Sequence, residues 1–233
     1  GVDLNLTWRD KVGEVDYSIG VNLSHYKNKL TEIGTEAGIF EGTRISNMNV
    51  MMKGYAVGMF HGYQVDGIYK SEDEVRNYKN DAGGAVLPYG TADAASLNPS
   101  QYVGQFKVKD VNNDGKIDAS DRTFIGNPHP DLTGGNLSVG WKGFDLSTYL
   151  YFSVGNDIFA MYKYYTHYGS LQSAYSKDRR DNSWSPENPN GIYPMWATAT
   201  GESTIAANES NSSYIEDGSF LRMQTLTLGY TLP

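Results

Sequence analysis

The feature that most constrains the fold is a strict alternation of apolar and polar residues in five separate stretches of the chain. In the first stretch, Val2, Leu4, Leu6 and Trp8 alternate with polar residues. A period of two places successive side chains on opposite faces of a β-strand. The sequence therefore predicts strands at about 1–10, 14–26, 135–142, 144–154 and 219–232.

The connections between these strands fall into two length classes. Short turns join the first strand to the second and the third to the fourth, whereas residues 27–130 and 155–218 form two long connections. Outer-membrane barrels segregate their connections in this way, with short periplasmic turns at one end and long extracellular loops at the other. The pattern favours a transmembrane β-barrel over a secreted β-sandwich, whose strands also alternate. Four aromatic residues fall near the short turns, where an interfacial girdle would lie: Trp8, Trp141, Phe144 and Tyr230.

Five strands are too few to close a membrane barrel, because bacterial barrels use even strand counts from about eight upward. The predicted fold is therefore all-β: an incomplete segment, of about five antiparallel strands, of a large transmembrane barrel with two long extracellular loops. Within the last strand, Leu226 and Leu228 share a face, but Arg222 and Gln224 have the same parity. A β-bulge near these residues would restore the alternation.

A short helix is predicted at about 71–80, inside the first long connection. Ser71 stands in the N-cap position and Glu74 follows three residues later, which is the pattern of a capping box. We expect the side chains of these two residues to satisfy each other's backbone amides.

Composition excludes several functions. The formal net charge of −8 argues against nucleic-acid binding, which requires clustered Lys and Arg. The chain has no Cys, and so no thiol nucleophile or disulfide. The four His residues show no metal-ligand spacing, and no nucleophile elbow or phosphate-binding loop is present. We therefore expect that the protein is not an enzyme.

The stretch DVNNDGKIDASD has the ligand spacing of a calcium-binding loop. Asp110, Asn112, Asp114 and Asp121 occupy loop positions 1, 3, 5 and 12, and the backbone carbonyl of Lys116 would supply position 7. Position 12 is Asp where Glu is usual, as in dockerin loops. The alternative is a surface turn, because Asp, Asn and Gly cluster in turns for local reasons. The spacing predicts a structural Ca²⁺ site.

Aromatic residues supply the candidates for substrate binding. Tyr149 and Tyr151 lie on the predicted lumenal face of the fourth strand, and Trp184 and Trp196 lie in the second long connection. Such rings can stack on sugar faces while their polar tips form hydrogen bonds. The alternative for each ring is packing within the loops.

Four segments of the chain, together with their order and spacing, resemble the SusC/RagA class of TonB-linked outer-membrane transporters of Bacteroidetes. They are 54–75, 106–158, which joins the metal-type loop to IGNPHPDLTGG, 184–191 (WSPENPNG) and 212–233, which contains FLRMQTLTLGYTLP. Where that class often has an Arg just before the Trp of WSPENP, this chain has Asn182 and Ser183, with Arg179 and Arg180 upstream. The resemblance places the chain in the C-terminal part of the barrel.

The resemblance implies a barrel of roughly 22 strands in outer-membrane lipid, plugged by an N-terminal domain that these residues do not contain. It also implies a SusD-like surface lipoprotein as a lid, TonB–ExbB–ExbD as the energy source, and oligosaccharides or peptides as cargo. A secreted, calcium-stapled β-rich module for glycan binding or adhesion is the alternative hypothesis.

Overall fold

The computed structural model of the protein describes residues 1–35, 38–41, 45, 47–134, 136–141, 143–168, 175–196, 205 and 209–232. The first and last residues of the predicted strand 135–142 lie outside this set. Fourteen strands occur in the described residues: β1 Val2–Val12, β2 Val15–His25, β3 Ile39–Glu41, β4 Asn49–Met51, β5 Met59–Tyr63, β6 Val65–Ile68, β7 Phe106–Val108, β8 Arg122–Gly126, β9 Leu132–Thr133, β10 Asn136–Trp141, β11 Phe144–Val154, β12 Asp157–Phe159, β13 Ile215–Asp217 and β14 Phe220–Tyr230.

The helices are short. The α-helices are α1 Glu72–Asn77, α2 Tyr162–Thr166 and α3 Lys177–Asp181, and three 3₁₀ turns lie at Pro99–Gln101, Ala119–Asp121 and Ser212–Tyr214. No helix among the described residues is long and apolar enough to cross a membrane.

The main sheet has the strand order β1-β2-β10-β11-β14, and all of its pairings are antiparallel. Gly13 and Gly143 make the two tight turns at one end, both with positive φ, which glycine adopts without a Cβ clash. The short strand β9 pairs with β2 and β11 at the opposite end, where both long connections leave the sheet. The prediction of an all-β segment with about five long antiparallel strands is confirmed.

One face of the main sheet is apolar across all five strands. Residues paired directly across neighbouring strands share a face, and the row nearest the short turns contains Val12, Val15, Trp141, Phe144 and Tyr230. All of its members except the half-buried Val15 are exposed, as Tyr230 at 52% illustrates. An exposed apolar surface of this extent requires an apolar partner.

The predicted bulge is present in β14. Tyr149 of β11 pairs with Thr225 of β14, but the next β11 residue, Leu150, pairs with Met223. Gln224 is therefore skipped and has no partner in that ladder. The extra residue inverts the parity of the preceding part of β14. Met223 therefore lies on the apolar face, and Arg222 on the polar face.

The two long connections are called the first excursion (26–131) and the second excursion (155–219). They contain their own sheets, β3-β4-β5-β8, β6-β7 and β12-β13. A shared core joins them, because Phe106 of the first excursion packs edge-on against Tyr168 of the second at 6.1 Å between ring centroids. The members of this core are Ile45, Ile68, Phe106, Tyr168, Trp184, Tyr193 and Tyr214.

Helix α1 confirms the predicted helix but not the whole capping box. The Ser71 hydroxyl accepts a hydrogen bond from the Glu74 amide at 3.1 Å. The Glu74 carboxylate accepts instead from the Lys70 amide at 2.7 Å. Glu74 also pairs with Lys107 at 2.9 Å, and so it ties the start of the helix to β7.

Candidate functional site

The metal-type loop connects β7 to β8 and ends in the 3₁₀ turn Ala119–Asp121. Asp118 caps this turn, and its side chain accepts a hydrogen bond from the Ser120 amide at 2.8 Å. The predicted end ligands are both buried, with Asp110 1% and Asp121 0% exposed. Burial of two carboxylates is unusual unless they are paired, hydrogen-bonded or bound to a cation.

Asp110 uses its two carboxylate oxygens differently. Oδ2 accepts hydrogen bonds from the Gly115 amide at 2.9 Å and the Asn80 side chain at 2.8 Å. Oδ1 is buried and has no hydrogen-bond partner within the part of the chain that the structure describes. The turn at Gly115 has φ +89°, which brings its amide to the carboxylate. Oδ1 is therefore a buried acceptor in the position of a first ligand, and this geometry fits a hard cation.

Asp121 is held by backbone amides at both oxygens. Oδ1 accepts from Val111 at 2.9 Å and Oδ2 from Asp118 at 2.8 Å. Burial nevertheless raises the pKa of Asp121, and the nearby charge of Asp110 adds to the rise. Burial also opposes ionisation of Asp110, but the hydrogen bonds from Asn80 and Gly115 outweigh it and lower its pKa. A bound cation would relieve the repulsion between the two carboxylates.

The middle ligands lie on the exposed rim of the loop and bond to one another. Asn112 donates to the Asp114 carboxylate at 3.1 Å and accepts from the Asp114 amide at 2.9 Å. Asp114 also accepts from the Lys116 amide at 3.1 Å. Across the described residues, no three His, Cys, Asp or Glu side chains are grouped to hold a metal ion. For a complete shell of oxygen ligands, Asn112 and Asp114 would therefore have to break these hydrogen bonds and coordinate the ion instead.

Sequence reasoning missed the segment that holds this loop from outside. Besides Asn80, which bonds Asp110, Ala82 donates its amide to Asn113 at 3.3 Å. Leu87 then accepts from Ile117 at 3.0 Å and donates to the Gly115 carbonyl at 2.8 Å. These partners are about thirty residues upstream, and no local pattern in the sequence links them to the loop.

The predicted lumenal residues Tyr149 and Tyr151 lie on the polar face of the main sheet. The Tyr151 ring packs against Phe220 of β14 at 5.6 Å between centroids, and the Arg222 guanidinium lies 5.2 Å above the Phe220 ring. Sequence reasoning missed Phe220 and Arg222, although the parity change at the bulge was the signal that would have placed them here. We call Tyr149, Tyr151, Phe220 and Arg222 the polar-face aromatic patch.

Trp184 and Trp196 lie elsewhere, in the second excursion. Trp184 is 5% exposed and belongs to the shared core, so its position suits packing. Trp196 is 43% exposed and packs edge-on against Tyr175 at 4.2 Å. The structure therefore does not bring either tryptophan together with Tyr149 and Tyr151 on the polar face.

Arg179 lies upstream of the WSPENP segment in the sequence but contacts the residue just before that segment in the folded structure. Arg179 is 1% exposed. It donates to the carbonyls of His167 and Pro194, and to the Ser183 hydroxyl at 2.7 Å. Its guanidinium therefore lies beside the residue that precedes Trp184.

Comparison with known proteins finds relatives along nearly the whole chain. TonB-dependent receptor P26 of Formosa agariphila is 30% identical over 219 residues, which cover 91% of this chain and 20% of the relative. TonB-dependent receptor P3 of the same organism is 29% identical over 227 residues, or 93% of this chain and 20% of the relative. No protein-family model matches. The chain thus spans about a fifth of the length of these curated relatives.

Solved structures give the same fold. The RagAB peptide importer in its closed-closed state aligns with 99% of this chain and 22% of its own, with a TM-score of 0.66 at 19% identity. The structure of the RagAB peptide transporter aligns equally well, with 20% identity. The resemblance to TonB-dependent receptors of the SusC/RagA class is confirmed. In that alignment the main sheet corresponds to a section of the wall of a large β-barrel.

Proposed function

We propose that the chain is part of an outer-membrane importer of the SusC type, which takes up oligosaccharides or peptides with a SusD-like lipoprotein as its lid. TonB–ExbB–ExbD would supply the energy through regions outside these residues. The observation that carries the proposal is the main sheet: one face is apolar over five consecutive strands, and the other is polar. A sheet between lipid and water needs both faces in this form, and the apolar face here is exposed rather than covered by a second layer of the described residues, as Leu228 at 71% shows.

The similarity to RagAB supports import as the activity, since RagAB is a peptide importer. The relatives are TonB-dependent receptors, which favours transport over catalysis. The polar-face aromatic patch supports a substrate path, because Tyr and Phe rings accept sugar or peptide faces and Arg222 donates hydrogen bonds.

Fractionation and uptake test this proposal together. We expect the full-length product in the outer-membrane fraction, and we expect cells that lack it to lose growth on one oligosaccharide or peptide source that complementation restores. Recovery of the full-length product as a soluble secreted protein would overturn the proposal and favour the adhesion module.

We also propose that the metal-type loop binds Ca²⁺ through Asp110, Asn112, Asp114, Asp121 and the Lys116 carbonyl. The unpartnered Oδ1 of Asp110 and the two buried carboxylates support it. The ion would supply positive charge between these carboxylates and hold the end of the first excursion near β8. Even a weak site, with a Kd of about 10⁻⁴–10⁻³ M, would be filled at extracellular calcium concentrations.

A further inference from the structure

A cavity of ≈ 500 Å³ lies between the metal-type loop and the adjoining ends of β5 and β8. Its lining includes the half-buried Tyr89, the Thr91 hydroxyl and three charged side chains, Lys116, Asp118 and Arg122, with the fully buried Tyr63 ring behind them. The volume is within the range of about 300–1,000 Å³ that small-molecule pockets occupy. The main sheet does not line this cavity, and of the proposed metal ligands only Lys116 does, through the loop that carries it.

The aromatic wall of this cavity is held in place by its neighbours. Tyr63 is fully buried and meets Tyr89 edge-on, with 5.7 Å between ring centroids. The Arg122 guanidinium lies 5.2 Å above the Tyr63 ring. Tyr89 is half-buried, so part of its ring faces the cavity. A preorganised ring of this kind can receive a flat apolar ligand face without first losing side-chain freedom.

The charges around the cavity are already compensated. Arg122 pairs with Glu209 at 2.6 Å, and Lys116 pairs with Asp118 at 3.5 Å. An anionic or cationic ligand would therefore have to compete with an existing partner. A neutral ligand with many hydroxyls can instead use the remaining donors and acceptors of these groups, because guanidinium and carboxylate groups each form several hydrogen bonds.

We propose that this cavity is a binding site for a neutral sugar ring, with Tyr89 stacking on the ring and the Arg122 and Lys116–Asp118 groups bonding to its hydroxyls. Aromatic rings bury the apolar face of a ligand while polar groups around them orient it. The inference rests on the proposed function, since it makes the cavity an oligosaccharide site on the importer. It favours neutral saccharides over acidic saccharides and peptides.

The test is calorimetric titration of the full-length receptor in detergent. The probes are four neutral hexasaccharides (malto-, laminari-, manno- and xylohexaose), hexagalacturonate, and an uncharged Gly/Ser hexapeptide. We expect at least one neutral hexasaccharide to bind. Tyr89→Ala should weaken that binding by tenfold or more, and Tyr89→Phe, which keeps the ring, by less than threefold. Tyr55→Ala is the matched control, because Tyr55 is exposed and packs on Phe124, outside the cavity.

A second variant guards against misfolding of the first. Ala92 is exposed and lines the cavity, so Ala92→Trp fills it without removing a core residue. It should abolish hexasaccharide binding while the thermal unfolding of the receptor is unchanged.

Three outcomes overturn the proposal: no neutral hexasaccharide binds, the Tyr89 and Ala92 variants bind as wild type does, or the acidic or peptide probe is preferred. If the Tyr89→Ala receptor still binds and imports an oligosaccharide as the wild type does, the cavity proposal is wrong and the proposed importer function is unaffected. If the full-length protein is recovered as a soluble protein, the proposed importer function is wrong, whatever the cavity binds.

Discussion

The main sheet and the excursions distribute their apolar side chains in opposite ways. In the sheet these side chains point outward on one face, as Leu228 at 71% and Trp8 at 63% exposure show. The buried apolar side chains of the described residues all lie in the excursions, between Ile45 and Tyr214. The sheet therefore depends on its surroundings for hydrophobic stabilisation, whereas the excursions have a core of their own. The difference teaches that one chain combines a sheet that needs an external apolar partner with excursions that bury their own apolar side chains.

The largest effect should come from the core of the excursions. Trp184→Ala leaves a cavity in the shared core, and large-to-small core changes of this kind cost about 3–5 kcal/mol. We expect limited proteolysis of the full-length receptor to cleave the excursions rapidly, while the barrel stays inserted. The matched control is Trp196→Ala, at a 43% exposed position outside the shared core that contacts Tyr175 and Arg179, with a clearly smaller change expected. Equal sensitivity of the two variants would show that the excursions lack the core described above.

The next prediction concerns the two faces of the sheet. Leu226 and Thr225 are neighbours near the middle of β14 and lie on the apolar and polar face respectively. Leu226→Arg should destabilise insertion by about 2–4 kcal/mol if it lies near the bilayer midplane. Thr225→Arg, on the polar face, should cost much less. The measurement is urea-dependent folding of the full-length receptor into lipid vesicles. A larger cost at Thr225 would reverse the assignment of the faces.

The shape of the sheet could be predicted because its information is local. Leu226 and Leu228 on one side of Gln224 and Leu221 and Met223 on the other reveal both the strand and its bulge within a dozen residues. The excursions offer no such signal, since their strands are mostly three to five residues long and pair over long separations, as Tyr63 does with Arg122. Tertiary contacts decide these elements.

The metal-type loop likewise has a local part that the sequence predicts and long-range contacts that it does not. Its ligand spacing is contained in twelve residues and was available from the sequence. The clamp by Asn80 on Asp110 comes from about thirty residues away, so the sequence carried no pattern for it. The polar-face position of Arg222 was hidden only by the bulge, and it follows once Gln224 is taken out of register.

The third prediction tests whether the first excursion needs the ion as well as its core. Asp110→Asn places an amide NH₂ where Oδ1 would meet the cation, and should weaken Ca²⁺ binding more than about 100-fold, since a ligand matters at least as much as its supporting groups. Calcium at 100 times the wild-type Kd should stabilise the wild-type first excursion by about 2.7 kcal/mol, and this gain should fall below about 0.4 kcal/mol in the variant.

Proteolysis of residues 26–131 with and without calcium measures this calcium effect. Asp73→Asn is the control, because Asp73 is exposed in the first turn of α1, outside the metal-type loop. An unchanged calcium response in Asp110→Asn would show that calcium does not stabilise this excursion through the metal-type loop.

The smallest effect should be the acid response of the second excursion. Hydrogen bonds from Tyr193 first, and then Asn182, hold the pKa of Asp178 below its ordinary value. Burial lowers the pKa of His167, which lies 3.4 Å from Asp178. Because the folded pKa of Asp178 is depressed, its contribution is present above the ordinary carboxyl pKa and is lost as the pH falls through the lowered value. Asp178 is half exposed, so water screens the effect to less than about 1 kcal/mol.

Proteolysis of the second excursion between pH 6 and pH 3 should therefore show a small acid destabilisation in the wild type that Asp178→Asn reduces, while the part due to protonation of the buried His167 remains. Asp181→Asn is a matched control, since Asp181 is exposed on the same helix and bonds to its neighbour Arg180. If the acid response is undiminished in Asp178→Asn, the Tyr193–Asp178 bond does not hold α3 to the shared core. The stability of this excursion would then rest on its aromatic packing and the buried Arg179 alone.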